Sequence, residues 1–138
     1  MMPSSAGGKI PGPRGEFPAR VLIVDDEPLV RWSLSAGLCL AGFDAVTASN
    51  SEEALTFACQ RPQPDIILID LDLFNTDPAA LLEGLRRAAP QCRFLLMATA
   101  EPDALMALPD GVLVIRKPFD LPEVVRLVAT AGEAARRW

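Results

Sequence analysis

Four-residue apolar runs alternate along the chain with stretches whose apolar positions recur at helical spacing. Val21-Leu22-Ile23-Val24 is continuously apolar and ends in Asp25-Asp26, the form of a parallel strand buried on both faces. Pro28 suits a first helical turn, with Asp26 or Glu27 near the N-cap. Val30, Leu34, Leu38 and Ala41 then make a core stripe, and Gly42 is placed to stop the helix. Residues 44–48 read as a second strand. Ser51-Glu52-Glu53 opens a second helix through Leu55, Ala58 and Cys59, which Pro62 ends. Ile66-Ile67-Leu68-Ile69 repeats the strand signature and again runs into an aspartate, Asp70. Asp77-Pro78 has the N-cap and first-turn chemistry of a third helix through Leu81, Leu82 and Leu85. Phe94-Leu95-Leu96-Met97 predicts a fourth strand ending near Thr99. Residues 102–108 read as a short helix closed by the turn Pro109-Asp110-Gly111; residues 112–115 form a fifth strand and 121–135 a final helix.

Five such β/α units predict an α/β fold, a single doubly wound five-stranded parallel sheet with helices on both faces. Residues 1–19, rich in proline and glycine and without hydrophobic periodicity, read as a flexible leader, and residues 20–138 as one domain. Half of the 138 residues are apolar, enough for a packed core, so full disorder is excluded. A net charge of −5 argues against direct nucleic-acid binding. No apolar run approaches the length of a membrane span. Histidine is absent, which removes every mechanism that needs an imidazole. Three cysteines, Cys39, Cys59 and Cys92, give no C-x-x-C spacing; the odd count fits a reducing cytoplasm, and all three read as small core residues.

Ligands of doubly wound sheets bind at the carboxyl ends of the strands. There the chain carries Asp25 and Asp26, Asp70, Thr99 and Lys117. Two unit charges 4 Å apart cost about 4 kcal/mol at an effective dielectric of 20, so three carboxylates on one edge either take up protons or bind a hard cation. Mg²⁺ suits such all-oxygen ligation. An ionised carboxylate beside it can attack a phosphoryl group, with Thr99 donating to the transferred oxygens and Lys117 neutralising their charge.

VLIVDDEP, PDIILIDLDL, LLMATAE and VIRKPFD, in that order, resemble the four motifs of the two-component response-regulator receiver domain. The spacing agrees: 44 positions separate Asp26 from Asp70, and 29 separate Asp70 from Thr99. The resemblance covers residues 20–138 and implies a flavodoxin-like strand order of 2-1-3-4-5. It implies that Asp70 is the phosphoacceptor and that Asp25, Asp26, Asp70 and the backbone carbonyl of Asp72 hold Mg²⁺. Thr99 becomes the switch hydroxyl and Lys117 the phosphate partner, with a cis peptide at Lys117-Pro118. The implied partners are a sensor histidine kinase or phosphotransfer protein, an output protein or domain that the sequence does not name, and a weakly associating second copy. Catalysis is confined to the domain's own phosphorylation and dephosphorylation.

Several positions depart from the family pattern. Val114 stands where an aromatic switch residue is usual, Phe74 where a proline is usual, and Pro78 where a glycine is usual. The interval of 18 from Thr99 to Lys117 is shorter than the family habit by about one helical turn. With the aromatic gone, residues 101–109 are left as the element that moves. Leu29, Trp32 and Ala36 form a second apolar stripe on the first helix, read either as scattered exposed residues or as a docking patch. Two other functions fit parts of the pattern. One is a degenerate receiver that acts unphosphorylated as an interaction module. The other is a haloacid-dehalogenase-like phosphatase, whose D-x-D motif Asp70-Leu71-Asp72 resembles; in that family, however, the acidic pair follows the motif rather than preceding it.

Overall fold

Apolar side chains at successive strand positions point to opposite faces, so a continuously apolar strand needs a core on each side. The computed structural model, which describes residues 19–73, 76–99 and 112–136, has that arrangement. Strand β1 (Arg20–Val24) leads to helix α1 (Pro28–Leu40), β2 (Asp44–Ala48) to α2 (Ser51–Cys59), and β3 (Ile66–Asp70) to α3 (Pro78–Ala88). Then come β4 (Arg93–Ala98), β5 (Leu113–Arg116) and α4 (Leu121–Arg136). All pairings are parallel and the sheet order is β2-β1-β3-β4-β5. Fold class and strand order are those expected from the sequence.

Val21 and Ile23 enter one core with Leu34 and Leu38 of α1 and Val124 and Val128 of α4. Leu22 and Val24 enter the other, with Ala54 and Ala58 of α2 and Leu81 and Leu85 of α3. Helices therefore cover both faces. The sheet's order reverses between β1 and β3: the chain leaves β1 towards β2 and leaves β3 towards β4. That divergence opens a crevice at their carboxyl ends.

Helix ends follow local chemistry. Gly42, just past the Ala41 C-cap of α1, has φ 102°, a conformation that glycine adopts without Cβ strain. Asp77 caps α3 through a 3.1 Å bond from the Ala79 N–H, ahead of Pro78. Asn50, which the sequence reading passed over, caps α2 by accepting from the Glu53 N–H at 2.8 Å.

Other expectations need correction. Cys39 and Cys59 are exposed rather than core residues, because both lie at the solvent-facing C-terminal ends of their helices. Only Cys92 is partly buried; burial pushes its thiol up to about 12, so it stays protonated. Ala19, assigned to the leader, is buried, and its carbonyl accepts from the Asp44 N–H at 2.9 Å. Residues 1–18, Phe74, and the expected helix and moving element at 101–109 lie outside the described residues. Leu29 and Trp32 are 73% and 68% exposed, joined on the same helix by Leu40 at 85%. Among the described residues no helix is long and apolar enough to cross a membrane.

Candidate phosphoacceptor site

At the carboxyl edge of the sheet, β1 hands over to the acidic pair before the ladder has ended. The Asp25 N–H still donates to the Ala48 carbonyl of β2 at 3.1 Å, which turns the Asp25 side chain into the crevice. Its Oδ1 accepts from the Glu27 N–H at 2.9 Å. Glu27 is the N-cap of α1 and makes no side-chain cap, so the bond from its N–H to Asp25 fixes the entry to the helix instead. Arg31, one turn into α1, donates to the Asp25 carbonyl at 2.8 Å and pins the β1–α1 junction from the helix side.

Asp70 is the last residue of β3 and 3% exposed. Its Oδ1 accepts from the Asp72 N–H at 2.9 Å and from Lys117 Nζ at 2.7 Å. Lys117 reaches it from the end of β5, where its own N–H donates to the Ala98 carbonyl of β4 at 2.9 Å and the following bond to Pro118 is cis, as expected. Carboxylate oxygens of Asp25, Asp26 and Asp70 lie within 4.8 Å of one another. The three aspartates and Lys117 singled out in the sequence therefore converge.

Electrostatics follow from that geometry. Burial, with the neighbouring Asp70 and Asp26 charges, raises the Asp25 carboxyl to about 6, against the opposing pull of the Glu27 N–H and Lys117. Burial works to lower the Lys117 pKa, but its contacts with Asp70 and then Asp72 outweigh this and leave it above the ordinary lysine value. A cluster of hard oxygen donors in which burial and mutual repulsion penalise the ionised form fits a divalent cation such as Mg²⁺.

Thr99 follows β4, and its N–H and hydroxyl face Asp72. Its N–H and Oγ1 both lie 3.3 Å from Asp72 Oδ2, and Oγ1 lies 3.4 Å from Asp72 Oδ1. The same Asp72 Oδ2 is 3.3 Å from Lys117 Nζ. The sequence reading assigned Asp72 only through its backbone carbonyl and missed this side chain. The D-x-D spacing past the end of a strand was the available signal. Val114, in place of an aromatic, is partly buried against the α2–α3 core.

A sequence profile described as "Response regulator receiver domain" matches residues 21–129. The DNA-binding transcriptional regulator NtrC of Salmonella typhimurium is 35% identical over 115 residues, which cover 80% of this chain and 24% of NtrC. The transcriptional regulatory protein KdpE of Mycobacterium tuberculosis (strain H37Rv) is 33% identical over 113 residues, covering 80% of this chain and 50% of KdpE. The chain thus spans a quarter to a half of the curated relatives it matches. A CheY-like response regulator receiver domain protein from Methanospirillum hungatei superposes with a TM-score of 0.76 at 20% identity, over 86% of this chain and 96% of the other, which shows the shared fold. With the profile reaching from Val21 in β1 past all five strands and over the carboxyl-edge aspartates, the chain belongs to the receiver domains of two-component response regulators.

Proposed function

We propose that Asp70 accepts a phosphoryl group in a Mg²⁺-dependent reaction and that the modified edge signals to a partner surface. The observation that carries this reading is the convergence of Asp25, Asp26 and Asp70 within 4.8 Å, with Lys117 Nζ 2.7 Å from Asp70. An Asp70 oxygen attacks phosphorus; the bond from phosphorus to the donor breaks, and the donor leaves with the electron pair. Lys117 offsets charge on the transferred oxygens, and Thr99 donates its hydroxyl to one of them. Asp25, Asp26, Asp70 and the Asp72 carbonyl would hold the cation, which when bound supplies positive charge against the repulsion between carboxylate and phosphoryl oxygens.

Receiver domains are in general signalling modules rather than enzymes, and the chemistry proposed here acts on the chain itself. A sensor histidine kinase or phosphotransfer protein is the proposed donor. Leu29 and Trp32, exposed on the first turns of α1 directly after the acidic pair, offer that partner an apolar contact. Incubation with acetyl phosphate, with and without magnesium, followed by intact-mass measurement tests the reading. A phosphate-sized adduct that requires magnesium is expected. Steady release of phosphate from ester substrates with no adduct would favour the phosphatase alternative.

A further inference from the structure

We propose that the Asp72 carboxylate is a displaceable anionic latch that occupies the phosphoryl position of the resting domain and slows phosphorylation. This rests on the reading of Asp70 as acceptor. Asp72 Oδ2 lies 3.3 Å from Lys117 Nζ, from the Thr99 N–H and from Thr99 Oγ1. Lys117 and Thr99 Oγ1 are the donors that the incoming phosphoryl oxygens need. A carboxylate in that place satisfies them beforehand and repels an anionic phosphodonor.

The latch can open. Its contacts at 3.3–3.4 Å are long and weak beside the 2.7 Å Lys117–Asp70 bond, and the Asp72 side chain is 42% exposed. The Asp72 backbone is anchored separately, through its N–H to Asp70 Oδ1 at 2.9 Å. Side-chain rotation alone therefore vacates the position and leaves the backbone carbonyl of Asp72 where it was.

The test compares wild type with Asp72→Asn, which keeps the shape and removes the charge, and with Asp72→Glu, which keeps the charge. The initial rate of adduct formation on the full chain is measured against acetyl phosphate concentration at saturating magnesium. Asp72→Asn should be faster by about twofold to fivefold, the scale of a partly exposed ion pair, mainly through a lower apparent KM. Asp72→Glu should stay at or below the wild-type rate. In metal-free protein the Thr99 amide proton should shift upfield in Asp72→Ala, which removes its acceptor. An Asp72→Asn rate equal to or below wild type, a Glu variant as fast as Asn, or an unmoved Thr99 amide would each overturn the latch while leaving Asp70 as acceptor. If neither wild type nor any variant forms an adduct, the acceptor reading itself falls and the latch with it.

Discussion

Asp25 is 1% exposed and titrates at about 6, against 3.8 for an ordinary aspartate. Between those values the folded chain keeps a proton that the unfolded chain has lost, so this group's contribution to stability declines as pH rises from about 4 to about 6. Above that window the folded state carries the full penalty, on the order of 3 kcal/mol. Asp25→Asn mimics the protonated acid and retains the acceptor for the Glu27 N–H. In metal-free urea denaturation it should match wild type near pH 4 and exceed it by that amount at pH 7. A difference that does not change with pH would contradict the burial argument. Asp26 acts in the same field but is less buried. Metal-free Asp26→Asn should melt a few degrees above wild type, because one of three converging charges is gone. Calorimetric titration with magnesium should show a larger loss of affinity for Asp26→Asn than for Asp25→Asn, whose Oδ1 is already engaged by the Glu27 N–H. Equal or reversed losses would refute that ranking. At this scale the site was legible wherever an aspartate, threonine or lysine stood at a strand end. The Asp72 side chain was less so: D-x-D spacing marks the position, but its contacts with Thr99 and Lys117 depend on the approach of the ends of β4 and β5.

At the level of elements, the strands were the easiest to read because both faces of the sheet are covered. Burial on two sides removes polar alternation and leaves runs such as Ile66-Ile67-Leu68-Ile69 that stand out from their surroundings. Edges were read less well. Strand β5 sits one residue later than expected, and β4 extends one residue beyond its apolar run at each end, into Arg93 and Ala98. Backbone pairing sets these limits, and side-chain hydropathy reports it poorly. Helix α2 shows how a cap hides in sequence. Asn50 accepts from the Glu53 N–H, while Glu53 Oε1 accepts from the Ser49 N–H at 2.7 Å and from Ser49 Oγ at 2.8 Å. These contacts draw the Glu53 pKa below its ordinary value. The opening signal therefore begins at Ser49, two residues before the helix. Asn50→Ala should cost about 1 kcal/mol in urea denaturation, and Asn50→Ser much less. An Ala variant as stable as wild type would mean that water replaces the cap without loss.

For the whole molecule, parallel topology is what turns separated residues into a site. Strands β1, β3, β4 and β5 end on one edge, so Asp25, Asp70, Thr99 and Lys117 are assembled by sheet order although up to 92 positions separate them in sequence. That assembly was legible because alternating β and α patterns permit few topologies. How a signal leaves the domain was less so: Val114 offers no aromatic rotamer, and what lies between Thr99 and Val112 belongs to the undescribed segment. Reductive trapping shows whether this edge accepts phosphate on Asp70. Borohydride reduces an aspartyl phosphate to homoserine, and peptide mass mapping locates the change. After treatment with acetyl phosphate and magnesium, homoserine is expected at position 70, absent without magnesium and absent in Asp70→Asn. Trapping at another aspartate would contradict it by moving the acceptor, and no trapping in wild type would contradict it and leave an unphosphorylated interaction module as the better reading.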